Sequence, residues 1–327
     1  MKKCIIITTI NKPTETIFRH INNNKDYDLI IVGDKKTPDD YYSLDCTYLD
    51  IKKQHELFPE LSNLIPYNHY CRKNIGYLYA IKNNYDIIYE TDDDNIPFDN
   101  FDHILKNEKT LLIKEKNSIW MNIFKFFTNN SHIWPRGYPL SLVKSKNNFE
   151  FEESDIKPAI INGLVENDPD VDALYRLLMI NNVSWEANKK VIISNDNMCV
   201  FNSQNTFWLN KDLFITLLIP CSVSFRYCDI LRGIISNIIL KKTNNYMMYT
   251  SPTVTQLRNE HDLMCDFKSE IEMYVHNENI IEILKDIKGN NTKELLLDIY
   301  NTLKDNNIIT QLDLDILNKW ITYFHIL

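Results

Sequence analysis

The chain has 327 residues, 44% hydrophobic, 24% charged and 12% aromatic, a composition that builds one large domain, or one domain with an extension, and excludes disorder as its main state. With 36 basic against 44 acidic side chains the net charge is −8, which excludes a nucleic-acid footprint or a polybasic membrane patch as the default reading. The six glycines are too far apart to build G-x-G-x-x-G or G-x-x-x-x-G-K, which excludes a glycine-rich dinucleotide site and a P-loop.

From the N-terminus, Cys4-Ile5-Ile6-Ile7-Thr8-Thr9 predicts a buried strand, Pro13-Thr14-Glu15 a helix start, and Leu29-Ile30-Ile31-Val32 a second strand, together a β-α-β unit. That strand ends in Gly33-Asp34, followed by the polar loop Lys35-Lys36-Thr37-Pro38. Arg72 to Asn83 carries Ile75, Leu78 and Tyr79 at helical spacing and leads into a strand at Asp86-Ile87-Ile88-Tyr89-Glu90-Thr91. This alternation predicts an α/β fold with a largely parallel sheet covered by helices on both faces. Residues 110 to 260 mix strands and helices with irregular aromatic segments such as Trp134-Pro135-Arg136-Gly137-Tyr138-Pro139, the kind of loop that forms sites. Beyond 263 the aliphatic spacing is helical, so we divide the chain into residues 1–262 and a helical C-terminal extension, 263–327. Seven scattered cysteines without a C-x-x-C pair predict reduced thiols. The apolar start is too short for a signal peptide and no apolar run approaches the ~20 residues of a bilayer span, so a soluble cytoplasmic protein is expected.

The strongest chemical signal is Asp92-Asp93-Asp94, placed directly after an apolar strand. Three adjacent carboxylates repel one another, and a divalent cation such as Mg²⁺ or Mn²⁺, bridging to a diphosphate, is their natural partner; the alternative is a solvated acidic turn. Arg72-Lys73-Asn74 opens the preceding helix, where cations either reach a diphosphate at the same sheet edge or form an exposed basic helix start. Asp34 either accepts from a base or ribose or caps its turn. Arg136, between Trp134 and Tyr138, either stacks or binds phosphate, or is a structural loop arginine. Glu166, Asp168, Asp170 and Asp172 precede a helical stretch and either face an acceptor or cap that helix.

These blocks, with Thr8-Thr9-Ile10-Asn11-Lys12-Pro13, Ile65-Pro66-Tyr67-Asn68-His69-Tyr70 and Phe225-Arg226-Tyr227-Cys228-Asp229-Ile230, follow in an order that resembles the STELLO-type glycosyltransferases over roughly residues 3 to 265. A more distant resemblance is to the plant reversibly glycosylated polypeptides, which are UDP-arabinopyranose mutases. The resemblance implies a GT-A fold whose D-x-D motif, Asp92 to Asp94, holds Mn²⁺ or Mg²⁺ against the diphosphate of a nucleotide sugar, most readily a UDP-sugar. Thr8, Thr9, Asp34, Arg72, Asp92 and Asp93 would line the nucleotide pocket. Asp92 and Asp94 would bind the metal, with His261 either a further ligand or a surface histidine. Asp229, or an acidic residue of 166 to 172 such as Asp170 or Asp172, would orient the acceptor, unless Asp229 only pairs with Arg226 or Arg232. Arg136 matches the arginine that becomes glycosylated in the mutases, but their second arginine, seven residues on, is Val143 here. A transferase acting on an unknown acceptor is therefore expected ahead of a UDP-sugar mutase or a catalytically silent nucleotide-sugar-binding scaffold.

Overall fold

The computed structural model describes residues 1–106, 109–179, 183–258 and 262–324. Among the described residues eleven strands form one sheet: β1 (Lys3–Thr8), β2 (Asp28–Val32), β3 (Thr47–Leu49), β4 (Ile87–Thr91), β5 (Asn95–Pro97), β6 (Thr110–Glu115), β7 (Phe149–Ser154), β8 (Ile160–Glu166), β9 (Lys190–Ile193), β10 (Asn205–Trp208) and β11 (Met247–Gln256). Their order is β3-β2-β1-β4-β10-β8-β11-β9-β6-β7, with β5 paired to β11.

The first four strands in this order are parallel, as the β-α-β reading predicts. Beyond them the sheet is mixed, because β10 runs antiparallel between β4 and β8. That reversal returns β8 to the direction of β4, and β11 runs parallel to β8. The carboxyl ends of β1, β2, β4, β8 and β11 therefore share one edge, which is where open α/β sheets bind ligands.

Successive side chains of β1 enter opposite cores. Cys4 and Ile6 join the core beneath the helices Lys73–Lys82 and Cys228–Lys242, whereas Ile5 and Ile7 join the core beneath Glu15–Asn23. The helix Lys73–Lys82 is buried on nearly all sides and lies close against the sheet. A Cβ at Gly76 would come within 2.6 Å of Val32 and 2.8 Å of Ile6, so only glycine allows that approach.

The helical C-terminal stretch comprises Leu263–Asn277, Ile280–Ile283, Thr292–Asp305 and Gln311–Thr322. Leu295, Ile299, Leu303, Leu317 and Trp320 complete the same core that the helix Cys228–Lys242 enters. Asp313 accepts from the Cys221 backbone at 2.6 Å, which fastens the last helix to the segment leading into the helix Cys228–Lys242. All seven cysteines are free thiols. Among the described residues no helix is long and apolar enough to cross a membrane.

Candidate active site

Strand β4 is wholly buried, and the chain surfaces as it leaves the sheet edge, at 92–94. Asp92 accepts from the Tyr70 hydroxyl at 2.6 Å and pairs with Lys73 at 3.2 Å. The Lys73 ammonium is fully buried and also donates to the carbonyls of Thr91 at 2.8 Å and Ser203 at 3.1 Å. Asp93 turns toward the end of β1, where it accepts from the Thr9 hydroxyl and, at 2.9 Å, from Asn11. Asp94 accepts from Gln256 at 3.0 Å through Oδ2, while its Oδ1 is buried without a partner. Burial and the neighbouring charges of Asp92 and Asp93 push the Asp94 carboxyl up to about 7. Burial also raises Asp92, against the pull of Lys73.

Among the described residues no three or more His, Cys, Asp or Glu side chains are arranged to hold a metal by themselves. The donor set is instead two carboxylates, Asp92 and Asp94, the latter with one buried oxygen that has no partner. This fits Mg²⁺ or Mn²⁺, which completes its shell with water and phosphate oxygens and does not need a protein cage. His261 lies outside the described residues.

The carboxyl ends of β1 and β2 are stitched together beside this array. Thr8 donates to the Val32 carbonyl at 3.1 Å, and the Thr37 hydroxyl donates to the Thr9 carbonyl at 2.6 Å while accepting from the Asp34 backbone at 2.7 Å. The Asp34 carboxylate accepts from the Lys35 backbone at 2.7 Å. Nearby, Lys35 lies 3.8 Å over the ring of Tyr67.

Arg72 is not among the groups that meet Asp92. Its guanidinium is turned inward, donating to the Ser62 carbonyl and hydroxyl at 2.9 and 2.8 Å, to the Ile65 carbonyl at 3.0 Å, and to Gln54. Gln54 in turn donates to the Gly33 carbonyl at 2.7 Å, so Arg72 supports the end of β2 from beneath. The cation delivered to the acidic array is the next residue, Lys73, because consecutive positions of a helix point about 100° apart.

Arg136, Asp170 and Asp229 form a second charged group. The Arg136 guanidinium makes paired hydrogen bonds with Asp170 at 2.8 and 3.0 Å and with Asp229 at 3.1 and 3.0 Å, and it also donates to the Arg226 carbonyl. Burial pushes the Asp170 carboxyl up, but the guanidinium outweighs it and holds the group at about 2. Burial alone would lower Arg136; the two carboxylates instead raise it well above its ordinary value. Gly137, at φ +88, lets the chain turn here, where a Cβ would lie 2.5 Å from Ile230. Asn202 ties the clamp to the segment leading into β10 by donating to Asp170 at 2.6 Å, and Ser203 beside it contacts Tyr70 at 2.6 Å.

Asp172 does not reach this group. It is fully buried as the N-cap of the helix Ala173–Leu178, accepting from the Tyr175 backbone at 2.7 Å and from the Trp134 indole at 2.6 Å, and burial pushes its carboxyl up to about 7.

Three features escaped sequence reasoning. The Tyr70 hydroxyl and Gln256 complete the acidic array. Beneath it, Glu90 and Arg232 form an ion pair at 2.8 Å with both side chains fully buried, and Glu90 also accepts from Trp208 at 2.8 Å and from Tyr77. The signal available was a lone glutamate in an apolar strand, two residues before the aspartates. This pair fixes the helix that carries Asp229 to the strand that delivers Asp92. Gly233 permits the contact, since a Cβ there would lie 2.2 Å from the Phe201 carbonyl oxygen.

No protein-family model matches the chain. It is 26% identical, over 342 aligned positions and 98% of its length, to two proteins of Arabidopsis thaliana named "Probable glycosyltransferase STELLO2" and "Probable glycosyltransferase STELLO1". The chain spans less than half of the length of these relatives, 44% of each. The similarity to these two proteins covers 98% of this chain.

Proposed function

We propose that this relative of the STELLO proteins transfers a sugar from a nucleoside-diphosphate sugar, a UDP-sugar, to an acceptor, with Mn²⁺ or Mg²⁺ held by Asp92 and Asp94. The observation that carries the reading is the orphaned Oδ1 of Asp94, a buried carboxylate oxygen at a sheet edge with two further carboxylates beside it. Names of the relatives support glycosyl transfer in general.

In this reading Thr9, Asp34 and Tyr67 receive the nucleoside at the ends of β1 and β2. Asp92 and Asp94 face the diphosphate, and Lys73 holds Asp92 in place from behind. The cation, when bound, neutralises charge that develops on the departing diphosphate. Asp229 presents a fixed carboxylate to the acceptor hydroxyl, while Arg136 positions it and Asp170 anchors Arg136. Asp170, held at about 2, is too weak a base to take a proton at neutral pH. Arg72 and Asp172 support the site without lining it.

The mutase alternative is the weaker reading because Val143 stands where the mutases carry their second arginine. The test is UDP release from a set of UDP-sugars with and without Mn²⁺. Release that depends on the cation and falls about 100-fold or more in Asp94→Asn is expected. Cation-independent release, or a variant as fast as the parent, contradicts the proposal.

A further inference from the structure

Isolated exposed apolar side chains are ordinary on a protein surface and need a second observation before they mean anything. Phe225 has one. The residue is 56% exposed, yet its ring meets Tyr70 at 5.7 Å and 75° and His69 at 6.3 Å and 70°. The Tyr70 hydroxyl is the group bonded to Asp92, so this ring stands at the rim of the acidic array. Four residues later along the chain comes Asp229. Phe225 thus lies between the proposed diphosphate side and the proposed acceptor side.

The segment that carries it is rigid. The Phe225 carbonyl accepts from the Cys228 thiol at 3.3 Å, the backbone amides of Tyr227 and Cys228 both donate to the Ser224 carbonyl, and the Arg226 carbonyl accepts from Arg136. On either side of that turn the Arg226 guanidinium grips Glu270 at 2.9 and 2.7 Å, and the Tyr227 hydroxyl donates to Asn277 at 2.9 Å. A large apolar ring held in water by a fixed backbone has preorganised a contact surface.

We propose that Phe225, supported by Tyr70 and His69, is the platform for the acceptor, and that the acceptor is a neutral pyranose glycan. The inference rests on the transferase reading of the same site. A pyranose with equatorial hydroxyls presents a face of axial C–H groups, apolar and slightly positive, which suits the negative face of an aromatic ring. Charge decides between glycan classes. The guanidiniums beside the platform, Arg136 and Arg226, are already paired with Asp170, Asp229 and Glu270, so neither is free to receive a uronate or a phosphate. Asp170 and Asp229 together outnumber the one guanidinium between them, and that surplus negative charge opposes an anionic acceptor.

The experiment measures saturation transfer from the protein's aromatic protons to cello-, xylo-, manno- and chitotetraose, with UDP and Mn²⁺ present, in parallel with calorimetry of UDP and Mn²⁺ alone. At least one tetrasaccharide should receive saturation at its axial C–H protons. Phe225→Ala should weaken its binding about 10-fold or more and Phe225→Trp should keep it within about 3-fold, while UDP affinity with Mn²⁺ stays at the parent value in both. Since the ring is exposed, neither change threatens folding, and unchanged melting temperatures verify this. A parent that binds UDP with Mn²⁺ but none of the four sugars, or an alanine variant that binds them as tightly as the parent, overturns the platform and leaves the transferase reading standing. A parent that does not bind UDP with Mn²⁺ overturns the transferase reading and the platform with it.

Discussion

The two charged groups at this sheet edge are built from the same residue type and differ in how far their charge is balanced. At Arg136 every polar atom has a partner: one guanidinium lies between two carboxylates, and a backbone carbonyl takes the remaining donor. At 92–94 the balance is incomplete, since Lys73 pairs with Asp92 but not with Asp94, which keeps a buried oxygen with no donor. The first group is satisfied within the fold and holds Asp229 in place, whereas the second leaves a buried oxygen unsatisfied, which is why the proposed cation belongs at 92–94.

Breaking the balanced group should have the largest effect on stability. Arg136→Met leaves Asp170 and Asp229 buried and facing each other, and a loss of about 3–5 kcal/mol is expected in chemical denaturation. A loss under about 1 kcal/mol would show that the clamp is not structural. Glu90→Gln, which leaves Arg232 charged and unpaired in the core, should cost about 3 kcal/mol, and Glu90→Leu combined with Arg232→Leu should recover most of it.

At the unbalanced group the effect is one of pH. The folded carboxyl of Asp94 is raised to about 7, above its unfolded value near 4, so the folded state holds the extra proton between those values. Its contribution to stability is complete below about pH 4 and is lost as pH rises through 7. The melting temperature of the parent relative to Asp94→Asn should therefore fall from pH 5 to 7.5, by an amount equivalent to about 1–3 kcal/mol, and Mn²⁺ should abolish that fall. A flat difference would place Asp94 in contact with a donor. The smallest effect is expected at Asp172→Asn. The amide satisfies one of its two donors, Tyr175 or Trp134, and not both, so about 1–2 kcal/mol is lost while UDP affinity with Mn²⁺ is unchanged.

What could be read from the sequence was local. Four consecutive buried residues, Cys4 to Ile7, and the apolar run before Asp92 announce strands by themselves, and the acidic cluster falls at the strand end where the sequence puts it. Asn205–Trp208 does not announce itself, because a four-residue strand inside an Asn-, Ser- and Gln-containing stretch becomes a strand only by pairing with β4 and β8. That antiparallel insertion turns a parallel sheet into a mixed one. The partners of Arg136 lie 34 and 93 residues away, a separation no local pattern encodes. Arg72 and Lys73 differ by one position and have opposite fates, and only the phase of the helix against the sheet decides which one meets Asp92.

Calorimetric titration of UDP into the parent and into Asp94→Asn, each with and without Mn²⁺ at pH 7.5, tests the central claim most directly. The account predicts that Mn²⁺ strengthens UDP binding to the parent by about 10-fold or more and that the variant loses this gain. Equal UDP affinity with and without the cation in the parent, or an undiminished gain in the variant, would contradict it.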